Sequence, residues 1–531
     1  MRGTVRDSAT RQPIPGAVLV LLDASGGTLG RNITNERGQY RIARSSGMTR
    51  MRVLRIGFRP REVQLPRATD SVVPLDIAMQ SLPTMLEPVR VSADSKCPRR
   101  SDDARTYALL EQVRAGLLSI VVARDANPAT LVRLVFERRM DGSSDRIASQ
   151  TVQMDSITAA TTSFGAAHAA TDFVQRGFMR DSAQQSIFFG PDADVLLDDG
   201  FALGYCFRII QAGRERTNQV GLAFSAGDRR PGRIDIDGAL WVDTLARALR
   251  DIEFRYVGLA RTIEAFRPGG RVAFREMPNG MVLIDQWSLR LIGAVQDTVE
   301  ARGKDEIRTW YHASEDGGEV ARAQWPDGST WRASLGTLRV RAVTSEGRPA
   351  PGTPVRLSNT SYTGVTDSAG VLEISDLVPG PYSLAIIDAR LASIGLDVPT
   401  PVKFVAARDS TVHAEIVART ANDFAIERCM ADKRYAVGSS VRMIGRAMRP
   451  SGEPVGGIKI SLAEIGAGAV KPLPQSYTTG TDGIFQFCPD TFRRGMQVLV
   501  GAYRGGSLVR DTTVRLDDNL TVVRMTIDAR P

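Results

Sequence analysis

Histidine is scarce in this chain of 531 residues: it occurs only at His168, His312 and His413. A Ser-His-Asp relay or an imidazole-bound metal would have to draw on those three. Lysine is almost as rare, six of the 68 basic residues, so the net charge of +9 is carried by arginine. The arginines are scattered among nearly as many acids, and no basic run is interleaved with aromatics. That pattern argues for a solvated surface and against a nucleic-acid partner. Long apolar runs are missing too. Ala17 to Leu22, and Ala115 to Ala123 with Ser119 inside it, fall short of the roughly 18 residues that a membrane helix needs, so no transmembrane segment is expected. A charged leader with an apolar core is not seen, and Met1 lies inside what reads as the first strand. The start is therefore expected to be internal to, or trimmed from, a longer precursor.

Cysteine is sparse and even in number: Cys97, Cys206, Cys429 and Cys488. Four cysteines allow three connectivities. Cys97 with Cys206 and Cys429 with Cys488 is the expected pairing, because each bridge then stays within one domain. Closing the second loop would add about 4 kcal/mol in the chain-entropy account. Four buried thiols in a reducing compartment is the alternative. No CxxC pair or Cys/His zinc spacing occurs.

What is abundant is turn chemistry, and it repeats. Residues 3 to 42 carry a polar turn after Asp7, a stiff corner at Pro13, Ile14, Pro15 and Gly16, and a strand at 17–22 that is apolar on both faces. A second turn follows at Asn35, Glu36, Arg37 and Gly38, and Tyr40 starts the next strand. Pro349, Pro351 and Gly352 repeat the corner, and Asp367, Ser368, Ala369 and Gly370 repeat the turn. Pro454, Gly456, Asp482 and Gly483 do so again. Proline presets one turn while glycine supplies the positive φ of the next. Short strands between such turns read as a seven-stranded sandwich of about 90 residues.

The stretches GTVRDSATRQPIPGAVL, TNERGQY and LRIGFRPREV closely resemble the carboxypeptidase regulatory-like domain, a transthyretin-like β-sandwich of bacterial envelope proteins. The resemblance covers nearly all of residues 1 to 92, and the segment Leu86 to Val91 is taken as its closing extended tail. It implies a carbohydrate-binding-like fold and an envelope setting.

From Ser101 the pattern changes. Asp102 and Asp103 follow a capping serine, and Tyr107, Leu110, Val113, Leu117 and Val121 recur at helical spacing. Strands are expected at Leu131 to Phe136, Ser149 to Met154 and Ser186 to Phe189. An antiparallel meander then runs through Ile234 to Leu240, Leu249 to Tyr256 and Val272 to Trp287. Its GALWVD segment, followed by Leu249, Ile252 and Tyr256, resembles the curved sheet of periplasmic lipoprotein-carrier domains over roughly residues 190 to 292. That resemblance implies an apolar cup between helix and sheet, with Trp241, Phe254, Tyr256 and Trp287 as the candidate binding surface. The plainer reading is that these four rings fill the core. Residues 296 to 335, polar and rich in glycine, are read as final strands plus a linker.

The regulatory domain's name raises the possibility of zinc-peptidase ligands. His312 and Glu315 have the His-x-x-Glu spacing, and His413 follows at a distance comparable to the family's second histidine. However, His413 sits in an alternating strand pattern and no α/β catalytic domain fits between. No GxSxG elbow, P-loop or dinucleotide fingerprint is present. The acidic groups Asp192, Asp194, Asp198 and Asp199, and Asp235, Asp237 and Asp243, would need converging loops to hold Ca²⁺. Strand ends and turns account for them more simply.

The chain is thus expected to be mainly β: three Ig/transthyretin-like sandwiches plus a central antiparallel curved sheet with one helix. The expected domains are residues 1–92, 93–335, 336–419 and 420–531. The expected function is non-catalytic binding or scaffolding in the cell envelope, without cofactor or metal. Its partner would be an envelope protein, a polysaccharide or a lipid. Two alternatives are a periplasmic lipid- or lipoprotein-binding protein acting through the central domain, and an accessory module of an envelope enzyme or outer-membrane receptor. The expected location is periplasmic, outer-membrane-associated or secreted.

Overall fold

The computed structural model describes residues 1–43, 45–66, 73–82, 104–158, 170–181, 186–227, 232–277, 282–301, 304–432, 434–435, 440–466 and 469–528. They fall into two compact units, Met1–Ser334 and Leu335–Pro531. The chain is mainly β.

The first unit opens with a seven-stranded sandwich: β1 (Arg2–Asp7), β2 (Val18–Leu22), β3 (Thr28–Ile33), β4 (Gln39–Arg41), β5 (Arg50–Leu54), β6 (Arg61–Gln64) and β7 (Ile77–Met79). One sheet has the order β4-β1-β7 and the other β3-β2-β5-β6. Among the described residues of this sandwich only the β1–β7 ladder is parallel. The proline corner is closed by a buried threonine. Thr34 Oγ1 accepts from Ala17 N at 2.8 Å and donates to Ile14 O at 2.8 Å. Gly38 has φ 66, and a Cβ there would lie 2.7 Å from Val5 O, so only glycine fits this turn.

All five residues of β2 are buried. Leu19 and Leu21 face the sandwich interior with Tyr40, Met51 and Val53. Val18, Val20 and Leu22 point the other way and pack on Leu118 and Val122 of helix α1 (Ala104–Ala126). Leu109, Val113, Leu117 and Ile120 of α1 pack on the central sheet. The helix is apolar on more than one side because it is covered on more than one side. By length and composition it could cross a bilayer, yet 67% of its most apolar window is buried inside the protein. Tyr107, the first residue of the expected apolar stripe, is exposed, and the capping residues 101–103 and the tail 86–91 lie outside the described residues. Sandwich and helix are also tied by polar contacts: Gly57 N donates to Gln112 Oε1 at 2.8 Å, and Arg52 pairs with Glu111 at 3.3 Å.

The rest of the unit comprises β8 (Thr130–Met140), β9 (Ile147–Thr158), α2 (Ala170–Arg176), β10 (Met179–Asp181), β11 (Ser186–Phe188), α3 (Ala193–Leu197), α4 (Asp199–Gly204), β12 (Tyr205–Gln211), β13 (Gln219–Ala226), β14 (Asp235–Asp243), β15 (Ala248–Val257), α5 (Arg261–Glu264), β16 (Gly269–Glu276), β17 (Val282–Ala301), β18 (Lys304–Gln324) and β19 (Thr330–Arg332). The main sheet has the order β12-β13-β14-β15-β16-β17-β18-β8-β9, with β19 on β18. Here the expected linker is corrected: most of residues 296–335 is strand, in a long β17–β18 hairpin. The glycines that suggested a linker sit mid-strand, where a Cβ on Gly317 would strike Phe136 and one on Gly318 would strike Trp287.

The second unit repeats the sandwich twice. The first copy has β20 (Gly336–Val343), β21 (Pro354–Leu357), β22 (Thr363–Val365), β23 (Val371–Leu377), β24 (Gly380–Ile386), α6 (Ala389–Ala392), β25 (Val398–Ala406) and β26 (Thr411–Val417). Helix α7 (Ala421–Ala431) follows, then β27 (Arg442–Met448), β28 (Lys459–Gly466), β29 (Ala469–Thr478), β30 (Ile484–Phe487), β31 (Gln497–Arg504), β32 (Ser507–Arg515) and β33 (Leu520–Thr526). Sheet orders β23-β20-β26 with β22-β21-β24-β25, and β30-β27-β33 with β29-β28-β31-β32, match those of the first sandwich. So does the parallel ladder in each, β20 with β26 and β27 with β33. The threonine clasp recurs as well. Thr366 Oγ1 accepts from Thr353 N and donates to Ala350 O, and Thr479 Oγ1 accepts from Ile458 N and donates to Val455 O. In the third copy the positive-φ corner glycine is Gly457, φ 72, rather than Gly456.

Candidate functional site

The four aromatic residues expected to line a binding surface do not form one. Phe254 and Tyr256 belong to the large core beneath α1, Trp241 to a small cluster with Ala223 and Ala239, and Trp287 to a third cluster with Leu131 and Trp325. All four are buried. The Tyr256 hydroxyl donates to Phe189 O at 2.9 Å, and burial pushes its pKa upward. The space between helix α1 and the sheet is filled by side chains of α1 and by rings such as Phe173, Phe178 and Phe201, a packed core in place of the expected cup.

The candidate ligand residues are engaged in other contacts or belong to different units. His312 on β18 pairs in register with Gly293, and Glu315 is ion-paired to Arg138 at 3.0 Å. His413 lies on β26 of the other unit. Asp192 and Asp198 accept from Val195 N and Gly200 N as the N-caps of α3 and α4. Asp194 pairs with Arg124 and Asp199 with Arg114. Asp235 is held by Arg233, and Asp237 lies 3.7 Å from Arg255. Among the described residues no group of three His, Cys, Asp or Glu could hold a metal ion.

Cys429 and Cys488 form a disulfide that ties α7 to the end of β30. Cys206 is also disulfide-bonded, and Cys97 lies outside the described residues.

A polar cavity of about 320 Å³ does exist, on the sheet surface over β13 to β17. It is lined by Gln219, Asp243, Arg250, Asp251, Arg271, Ala273, Phe274, Arg275, Asp285 and Gln286. Two β-bulges create it. Trp241 pairs with Asp251 but Val242 with Leu249, which leaves Arg250 as an extra residue. Ala273 pairs with Gln286 but Phe274 with Ile284, which leaves Asp285 as another. Strict alternation would send Arg250 and Asp251, or Asp285 and Gln286, to opposite faces. Each bulge instead brings two successive side chains to one cavity.

Charge is layered in this cavity. Arg216 donates two hydrogen bonds to Asp251, both at 3.1 Å, and also pairs with Glu253. Its guanidinium lies 4.4 Å from the centre of the Trp241 ring. Burial works to lower the Arg216 pKa, but the bonds and charge of Asp251 and Glu253 prevail and raise it. Arg271 reaches the same Asp251 at 3.1 Å, Arg275 reaches Asp285 at 2.6 Å, and Arg250 holds Asp243 at 2.7 Å. For Asp243, burial raises the pKa, but bonds from Ala246 N and Arg250 more than offset it and leave the carboxyl below its usual range. The Trp241 indole N–H is buried and meets no acceptor among the described residues. Neither the bulges nor the arginines of this cavity featured among the expected site residues.

Comparison with curated proteins finds no significant match. Among solved structures, the Bacillus anthracis TIE protein aligns over 65% of this chain at 8% identity and a TM-score of 0.14, and the chain spans 63% of that protein's length. The shaft pilin SpaA from Lactobacillus rhamnosus GG aligns over 38% of this chain and 99% of its own, at 9% identity and a TM-score of 0.14. BcpA, the major pilin subunit of Bacillus cereus, aligns over 78% and 98%, at 8% identity and a TM-score of 0.13. TM-scores so low carry no argument about function. Residues 1–80, by contrast, match the carboxypeptidase regulatory-like domain, the family that the opening motifs resemble.

Proposed function

We propose that this protein is a non-catalytic binding or scaffolding component of the cell envelope, working in an oxidising compartment: periplasmic, outer-membrane-associated or secreted. The observation that carries the reading is the way its sandwiches are fixed to neighbouring helices within each unit. In the first unit β2 is docked on α1 through a dry apolar contact. In the second, α7 packs on the third sandwich and is tied to it by Cys429–Cys488. Sandwiches fixed in this way hold loops and sheet edges at set positions, as a scaffold needs. A disulfide of this kind persists where thiols are not kept reduced. The filled interior beneath α1 favours this reading over a lipid carrier.

The test is fractionation of cells expressing the natural gene, with thiol alkylation before lysis and chemical crosslinking of the envelope fraction. An envelope or secreted location, unalkylated Cys429 and Cys488, and a reproducible crosslinked protein or polysaccharide partner are expected. Recovery in the cytosol with both thiols alkylated would overturn the reading.

A further inference from the structure

We propose that the bulge-made cavity over β13 to β17 binds a hydroxylated carboxylic acid of about monosaccharide size, the chemistry of a uronic acid unit. The volume, about 320 Å³, lies at the lower end of the range of about 300–1,000 Å³ typical of small-molecule sites.

The charge layering sets the ligand's polarity. The carboxylates form the floor, with side-chain exposures of 15% for Asp243, 4% for Asp251 and 5% for Asp285. Their partners Arg250, Arg271 and Arg275 form the rim, at 41%, 51% and 48%. A guanidinium has five N–H donors. Arg271 gives one hydrogen bond to Asp251 and lies 3.9 Å from Glu253, Arg275 gives one to Asp285, and Arg250 gives two to Asp243. What the cavity offers a ligand is therefore a row of guanidinium donors, the partners that a carboxylate prefers in planar pairing. Gln219 and Gln286 add amides that both donate and accept, and the floor carboxylates accept. Those groups suit hydroxyls. The formal charges of the lining balance, three arginines against three aspartates, so a densely charged ion has less to gain here than a singly charged, hydroxyl-rich one.

The experiment is calorimetric titration of the full chain with glucuronate and galacturonate, against glucose and inorganic phosphate as separate arms. Saturable binding of a uronate is expected, at least tenfold tighter than glucose or phosphate and weakened by salt. Arg271→Gln should weaken it about tenfold or more. Asp251 keeps its two bonds from Arg216 in that variant, so the fold is retained and circular dichroism should be unchanged. Arg275→Lys keeps a cation for Asp285 but loses the planar fork, and should also weaken uronate binding. Equal binding of glucose, equal or tighter binding of phosphate, uronate affinity unmoved by both variants, or no binding at millimolar uronate would each overturn the proposal.

Discussion

At the residue scale, the polar side chains that matter most are those buried with a single set of partners. Asp251 is almost fully buried and takes two bonds from Arg216 and one from Arg271. Asp251→Ala leaves the Arg216 guanidinium, itself largely buried, without its main counter-charge, and should cost about 3–5 kcal/mol in urea unfolding. Arg271→Ala removes a half-exposed partner from the same carboxylate and should cost less than about 1 kcal/mol. Comparable losses for the two variants would contradict the layered arrangement. A second residue sets an acid limit. The Asp432 pKa is pulled down to about 2, first by the hydrogen bond from Arg434, against an opposing effect of burial, with help from Gln486. An unfolded Asp titrates near 3.9. A depressed carboxyl contributes stability that is present above the unfolded value and is lost as pH falls through the folded one. Asp432→Asn should therefore lower stability at pH 6 and flatten its decline between about pH 4 and pH 2, as read by denaturant midpoints. The threonine clasp of the sandwiches was legible, since Thr34, Thr366 and Thr479 each stand four residues before the turn glycine. Its role emerges only when the proline corner is seen to need an acceptor and a donor at one buried point.

At the element scale, departures from periodicity carried more information than periodicity itself. Alternation found the meander strands at 234–240 and 249–256, whereas the run from Val272 to Trp287 divides between β16 and β17; the paired polar residues Arg250–Asp251 and Asp285–Gln286 break the alternation between apolar neighbours. In an otherwise alternating strand that is the mark of a bulge, and here it marks the cavity. The glycines of β18 misled because glycine signals both turns and close approach, and only the facing rings of Phe136 and Trp287 decide between them. The β17–β18 hairpin also outruns its neighbours. Pairing with β16 stops at Arg290 and pairing with β8 at Ser314. Beyond those points, apart from one bond from Ala313 N to Gly142 O at 2.8 Å, the two strands pair with each other among the described residues, and such a ribbon is marginal in water on its own. Replacing residues 294–309 by a tight turn should leave the denaturation midpoint nearly unchanged, a loss below about 1 kcal/mol, whereas a large loss would mean that the arm is buried against something. Helix α7 behaves differently. A Thr420–Asp423 capping box starts it, and Cys429–Cys488 closes a span of 59 residues. The paired change Cys429→Ser and Cys488→Ser should cost about 2–4 kcal/mol, and the wild-type protein under strong reductant should fall to the variant's midpoint.

At the scale of the whole molecule, the three sandwiches were readable because each is specified locally, by a corner, a turn and seven short strands. Their attachments were not, because docking is written in faces rather than motifs. The clue was β2. Its run of five apolar residues looked like sandwich interior, yet a strand in a two-layer sandwich buries only one face. The corresponding β21 and β28 do alternate between buried and less buried residues. The excess on β2, together with a helix that is apolar on more than one side, is the signature of a sandwich laid against that helix. Several kcal/mol reside in this contact if each buried aliphatic side chain contributes about 1.5–3 kcal/mol. The first sandwich should therefore be a structural part of its unit and not a tethered appendage. A chain beginning at residue 81 would expose Leu118 and Val122 and leave Gln112 without the backbone of Gly57 and Phe58. It should be poorly soluble, bind a hydrophobic dye and unfold at a lower temperature. Val122→Asp in the full chain, placing a charge in the same contact, should destabilise the first unit by at least about 2 kcal/mol while leaving the sandwich folded. If the chain from residue 81 melts where the intact protein does, and Val122→Asp is silent, the contact is incidental and the sandwich is merely tethered.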